Sequence, residues 1–324
     1  MRCAIGRDIA AAPPQDAAAA AAFIARAAGR AAVAIVHYGS RAHGSRPCSD
    51  SSHDFFLIVD RYWPAYRHLR RSSTSFSPVL ATLLAHWLPP NVISVGVGSH
   101  GESLADHAKC VVYSTRHFRQ ALSPHARDHY AHGRLFQHVR LAWTRDDTAR
   151  RDVLDCLIDC RLQTLRWVQP HLPSVFDVDE YLRTLLDVSF DGEVRPERPS
   201  RVAELLEAQL PLLREPYRAV VAALNEEGLV TSRENGCVVV SPPTPSDRQQ
   251  NRRYFRRSKR RLLLRLVKHV LLFDGWLRYL TQKIERRTGI KVRLSERERR
   301  WPLLFLWPRV IAFARGRPLE RDSQ

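Results

Sequence analysis

Two short apolar stretches carry the residues best placed for chemistry. Ala34-Ile35-Val36-His37-Tyr38 runs into Gly39-Ser40, and Asp54 opens Phe55-Phe56-Leu57-Ile58-Val59 after a polar loop, RAHGSRPCSDSS. A glycine at the end of a strand lets backbone approach a phosphate chain closely. A serine hydroxyl and nearby N–H groups can then hold the phosphate oxygens. A carboxylate on the neighbouring strand can hold Mg²⁺ across the same phosphates and offset charge as a phosphate group leaves.

A strand, a Gly-Ser turn and a strand-borne carboxylate resemble the core of the polymerase-β-like nucleotidyltransferases. That superfamily places Asp-apolar-Asp on the second strand. Here the stretch is Ser52-His53-Asp54-Phe55-Phe56, so either Ser52 replaces the first carboxylate or Phe56 replaces the second. Asp50 in the loop is a further candidate ligand. His37 and His53 flank the strands and read as structural.

Two more segments follow in order: Gly133-Arg134-Leu135-Phe136-Gln137-His138-Val139 and Ser189-Phe190-Asp191-Gly192-Glu193-Val194-Arg195. With Tyr38-Gly39-Ser40 and Asp54-Phe55, they resemble the peripheral phosphatidate cytidylyltransferases of the mitochondrial translocator assembly and maintenance type and their bacterial relatives. The resemblance covers about 36–225. It departs from the family at Phe136-Gln137-His138, where Lys-Pro is usual, and at Gly192-Glu193, where Gly-Asp is usual.

The resemblance implies transfer of CMP from CTP to phosphatidic acid, with release of pyrophosphate and formation of CDP-diacylglycerol for anionic phospholipid synthesis. It implies Mg²⁺, with Mn²⁺ or Co²⁺ as substitutes. Asp54, Arg134 and Glu193 would be catalytic, with Asp54 on the metal. Tyr38, Gly39, Ser40, Gly133, Arg134 and Arg195 would bind the nucleotide, and Arg134 would grip phosphate through two N–H groups.

These segments need elements to position them. Residues 17–32 read as a helix capped by Asp16. Strands are expected at 34–38, 54–59, 91–97 and 110–113, and helical patterns at 61–87, 116–130, 147–169 and 177–188. A second helical region runs to about Asn225, followed by a small hairpin around Glu234-Asn235-Gly236. The expected fold class is α+β: a nucleotidyltransferase core with a mixed sheet over 1–145, a mainly helical, winged-helix-like domain over 146–240, a Pro/Ser-rich linker over 241–251 and a basic amphipathic tail over 252–324.

Charge is concentrated in that tail. Residues 252–324 hold 22 Lys+Arg against 6 Asp+Glu, a net of +16, whereas 1–251 hold 29 against 27. Leucines and Trp276 form an apolar stripe at helical spacing with Arg261, Arg265 and Lys268 among them, and Trp301–Trp307 is a second apolar patch bounded by tryptophan and proline. That pattern suits an anionic bilayer interface. The expected location is peripheral, on the cytoplasmic face of a bacterial inner membrane, with the matrix face of the mitochondrial inner membrane as the alternative. No run of about 18 apolar residues is present, so no spanning helix is expected. Asp8, Pro13-Pro14 and Asp16 interrupt the alanine-rich start and argue against a signal or transit peptide. The six cysteines form no CxxC pair, and Cys156 and Cys160 read as small apolar residues in a reducing compartment.

Three other classes compete: a nucleotidyltransferase acting on RNA, one acting on a small molecule, and a membrane scaffold built on a degenerate transferase. The first would show the full carboxylate pair and a less apolar tail, and the second leaves the tail unexplained.

Overall fold

The computed structural model describes residues 1–44, 52–72, 76–97, 107–192, 199–233, 236–272 and 296. Helices α1 (Arg2–Ile5), α2 (Arg7–Ala10) and α3 (Gln15–Ala28) lead into strand β1 (Ala32–Tyr38). There follow β2 (His53–Val59), α4 (Tyr62–Leu69), α5 (Pro78–Trp87), β3 (Asn91–Gly96), β4 (His107–Ser114), α6 (Thr115–Ala121), α7 (His132–Leu135) and β5 (Arg140–Thr144). The rest comprises α8 (Asp147–Leu162), α9 (Leu165–Val168), β6 (Val175–Phe176), α10 (Val178–Gly192), α11 (Pro199–Glu226), β7 (Thr231–Ser232), β8 (Val238–Val239) and α12 (Pro245–Leu272).

The fold is α+β. Five strands form a mixed sheet in the order β3-β4-β2-β1-β5. β1 pairs antiparallel with β2 and with β5, β2 runs parallel to β4, and β3 pairs antiparallel with β4. β1 is buried at every position, and β2 at every position but Asp54, which is why both read as apolar runs rather than alternating strands. A second small sheet, β6-β8-β7, holds the hairpin expected near residue 235.

Met1–Arg265 forms one compact unit and Leu266–Gln324 another. Within the first, the spans read as two domains share a single core. Val36, Phe56, Val111 and Tyr113 of the sheet pack with Leu157 of α8, Leu185 of α10 and Tyr217 of α11. Of the second unit, the structure describes the last turns of α12, where Lys268 is buried, and Glu296.

Several expected bounds shift for local reasons. The helix read from Asp16 begins at Gln15, with Pro14 at the cap position. The span 61–87 is two helices because Ser77 caps a new one at Pro78, its hydroxyl accepting from the Leu80 N–H. The helical pattern over 116–130 ends at Ala121, three residues before Pro124, and the one over 147–169 is interrupted at Gln163-Thr164. The expected linker is largely helix: Thr244 and Asp247 satisfy each other's backbone N–H groups in a capping box around Pro245, and α12 starts there.

Arg161 on α8 is wholly buried and joins three segments. It donates to both carboxylate oxygens of Asp8 (2.6 and 2.7 Å), to the Ile5 carbonyl (2.6 Å) and to the Gln137 carbonyl (3.2 Å). Burial alone would raise the Asp8 carboxyl, but hydrogen bonds from Arg161 and His138, and their charges, hold it down at about 2. Removing one partner leaves an uncompensated buried charge. Asp8→Ala is therefore expected to destabilise the fold by about 3–5 kcal/mol, read as a lowered urea midpoint. A midpoint within error of wild type would contradict this role.

Candidate active site

The Gly-Ser turn and the strand carboxylate meet as their spacing requires. Tyr38 and Asp54 are paired across β1 and β2. Gly39 follows with φ of +84°, and its carbonyl accepts from the Ala42 N–H (2.9 Å), which closes the turn. A Cβ built at Gly39 would lie 2.8 Å from Asp54 Oδ2. Positive φ and this close approach both require glycine. Asp54 thus sits against bare backbone at the mouth of the turn, with its side chain 27% exposed.

A residue not singled out in the sequence completes this edge. Lys109 on β4 is the in-register neighbour of Asp54 on the parallel pair, and its Nζ lies 3.8 Å from Asp54 Oδ1. Its spacing carries no motif, and only the β2–β4 pairing reveals it. Behind the turn, on the other face of β1 and β2, a polar group holds Arg41. Arg41 donates to Asp16 Oδ2 at 2.6 Å, and His53 Nε2 stands 3.6 Å from the same oxygen. Asp16 also accepts from the Ala17 N–H. His37 and His53 are both buried, with ring nitrogens 3.4 Å apart. Burial, with His53 adding to it, pushes His37 down to about 3, and burial lowers His53 as well.

Gly133 and Ser189, from the third and fourth segments, also meet. Ser189 Oγ lies 3.1 Å from His129 Nε2 and 3.5 Å from the Gly133 carbonyl. Gln137 donates to the Gly133 carbonyl, Gln209 on α11 donates to Gln137, and the Tyr217 hydroxyl donates to the Phe136 carbonyl. Gly192 packs so tightly on Phe255 of α12 that a Cβ there would overlap the ring. Much of the third segment is therefore tied to helices, through Gln137 among others.

Arg134 is held at Tyr130, donating to its carbonyl (2.8 Å) with the guanidinium 3.9 Å above its ring. Its neighbours include the ion pair that fastens α12. Asp128 takes Arg261 Nε at 2.7 Å and Arg265 Nη2 at 2.7 Å, and Arg265 also lies over Tyr130. Burial would raise Asp128, but Arg265 and Arg261 hold it at about 2. This corrects the expectation that Arg261 and Arg265 face lipid headgroups. Both are paired with Asp128, and Arg265 has an 8% exposed side chain; Lys268 is also buried. Glu193, Arg195, Asp50, Trp276, Trp301 and Trp307 lie outside the described residues.

The donor set can be weighed for a metal. Among the described residues, no three His, Cys, Asp or Glu side chains converge. An all-protein cage is not needed for Mg²⁺ that arrives with a nucleotide, which takes one or two carboxylates beside the phosphates. Asp54 fits that requirement.

The sequence matches no protein-family model and no curated protein.

The buried histidines set a pH dependence. The unfolded chain takes up a proton on His37 near pH 6.5, whereas the folded chain takes it up only near pH 3. This contribution is complete above about pH 6.5 and is lost as pH falls. By pH 5 the loss amounts to roughly 2 kcal/mol, and His132, pushed by burial down to about 4, acts in the same direction. Urea midpoints should fall between pH 7 and pH 5; unchanged midpoints would contradict neutral burial.

Proposed function

We propose that the protein is a Mg²⁺-dependent nucleotidyltransferase with a polymerase-β-like core, and that it transfers CMP from CTP to phosphatidic acid at a membrane surface. The observation that carries the reading is the contact of the Asp54 carboxylate with Gly39 at a left-handed turn, with Lys109 beside it. Half-buried glycine backbone, one carboxylate and one ammonium on adjacent strand ends suit a polyphosphate chain.

In this reading the Gly39-Ser40 turn holds CTP phosphate oxygens through its N–H groups and the Ser40 hydroxyl. Asp54 would hold Mg²⁺, which would offset phosphate charge. Lys109 leaves Asp54 for a β- or γ-phosphate oxygen as the nucleotide enters. A phosphate oxygen of phosphatidic acid attacks the α-phosphorus of CTP. The bond to the bridging oxygen breaks, and pyrophosphate leaves with that electron pair. The attacking phosphate is already largely ionised at pH 7, so no strong general base is required, and positioning and charge neutralisation provide the catalysis. Arg134, Glu193 and Arg195 enter this proposal only through the family resemblance.

The test is formation of labelled CDP-diacylglycerol from labelled CTP and phosphatidic acid in mixed micelles with Mg²⁺. Wild type is expected to form it. Asp54→Asn should lower turnover by about 10²-fold or more with an unchanged melting temperature. Lys109→Ala should mainly raise the KM for CTP. Gly39→Ala should lose activity and roughly 1–2 kcal/mol of stability, since L side chains resist positive φ. Absence of a lipid product, with nucleotide transferred to RNA instead, would overturn the lipid reading.

A further inference from the structure

The hairpin α4–α5 exposes an apolar face to solvent. On α5, Val79 is 55% exposed, Leu83 64% and Trp87 63%, and Trp63 on α4 is 43% exposed. Val79, Leu83 and Trp87 recur at four-residue spacing and so lie along one side of the helix. The opposite side, Ala81 and Ala85, is buried. A soluble surface rarely leaves a Trp and two aliphatic side chains bare along one short helix.

Charge indicates what covers this face. From Arg61 to Val97 the chain contains four arginines and no Asp or Glu. Arg265 Nε and Nη2 donate to the Pro89 carbonyl (3.0 and 2.6 Å), which ties α12 to the residues just after α5. From Arg248 to Leu272, α12 has ten Lys+Arg and no Asp or Glu. Apart from Arg261, Arg265 and Lys268 most of these are exposed, Arg252, Arg256 and Arg260 among them.

We propose that the exposed face of α5 seats in the interface of an anionic bilayer, with the arginines of α12 drawing it to the headgroups. Interfacial helices pair leucine and tryptophan with cationic residues in this way, the apolar side chains entering the acyl boundary and the cations staying at headgroup level. RNA would use the cations but gives Val79 and Leu83 nothing to bury against. The proposal rests on the reading that the substrate lies in a membrane. It moves docking from the arginines of α12 that are paired with Asp128 to a helix without Lys, Arg, Asp or Glu.

The experiment is co-sedimentation of the full chain, without CTP, with phosphatidylcholine vesicles and with vesicles that also contain phosphatidylglycerol, at one salt concentration. Wild type is expected to bind the anionic vesicles at least roughly tenfold more strongly than the neutral ones. Leu83→Glu/Trp87→Glu, at positions already exposed, should keep the wild-type melting temperature and bind roughly tenfold more weakly or worse. Arg256→Gln/Arg260→Gln should weaken binding and flatten its salt dependence. The proposal is overturned if the Leu83/Trp87 variant binds like wild type, or if wild type ignores anionic vesicles. It is equally overturned if the face mediates a dimer that the variant dissociates without any vesicle binding, or if RNA displaces the protein through α12 while the α5 substitutions have no effect. Vesicle binding is read without turnover, so its loss is distinguishable from failure of CMP transfer, which the micelle assay reports.

Discussion

A guanidinium with no exposed surface has to find its partners inside the protein, and Arg161 finds them on two segments, the N-terminal helices and the stretch at Gln137. A buried charge without compensation is expensive, so the fold is constrained to bring Asp8, the Ile5 carbonyl and the Gln137 carbonyl to one point. The N-terminal helices are thereby fastened beside α8. The stretch after Arg134 is held from the other side by Gln209 and Tyr217 of α11. Arg161 thus fixes where the third segment can lie relative to the sheet.

A second buried carboxylate performs the same service for α12. Asp128 lies under Arg261 and Arg265, and Arg265 also reaches the Pro89 carbonyl. One anion cannot neutralise a helix carrying ten cations. It orders two of them, and the exposed remainder keeps the field of this surface positive. The aromatic cluster of His129, Trp167, Tyr254 and Phe255 fills the space between α12 and the body, with Gly192 providing clearance for Phe255. Packing and charge therefore hold the same helix independently.

At the Gly-Ser turn the constraint is steric. Positive φ at Gly39 and the proximity of Asp54 exclude a side chain. Arg41, just past the turn, is held by Asp16, next to two histidines whose pKa burial lowers. Rigid backbone on one side and a partly exposed carboxylate and ammonium on the other leave Asp54 and Lys109 accessible while the elements beneath them are fixed.

The sequence alone determined the strands bearing Tyr38 and Asp54, which follow from apolar runs. The α+β class and the meeting of Gly39 with Asp54 are expectations of the family resemblance, and the structure has both. Thr244-Pro245-Ser246-Asp247 also spelled out a helix start, although its Pro/Ser content read as a linker. Only the tertiary structure could decide what depends on strand order and long-range burial. Lys109 gains its place from a parallel pairing that its own neighbours do not encode. Arg261 and Arg265 look like surface charges until Asp128, more than a hundred residues away, is folded beneath them. The exposure of the α5 stripe was likewise decided only in three dimensions, because periodicity identifies an apolar face but not whether another element will cover it.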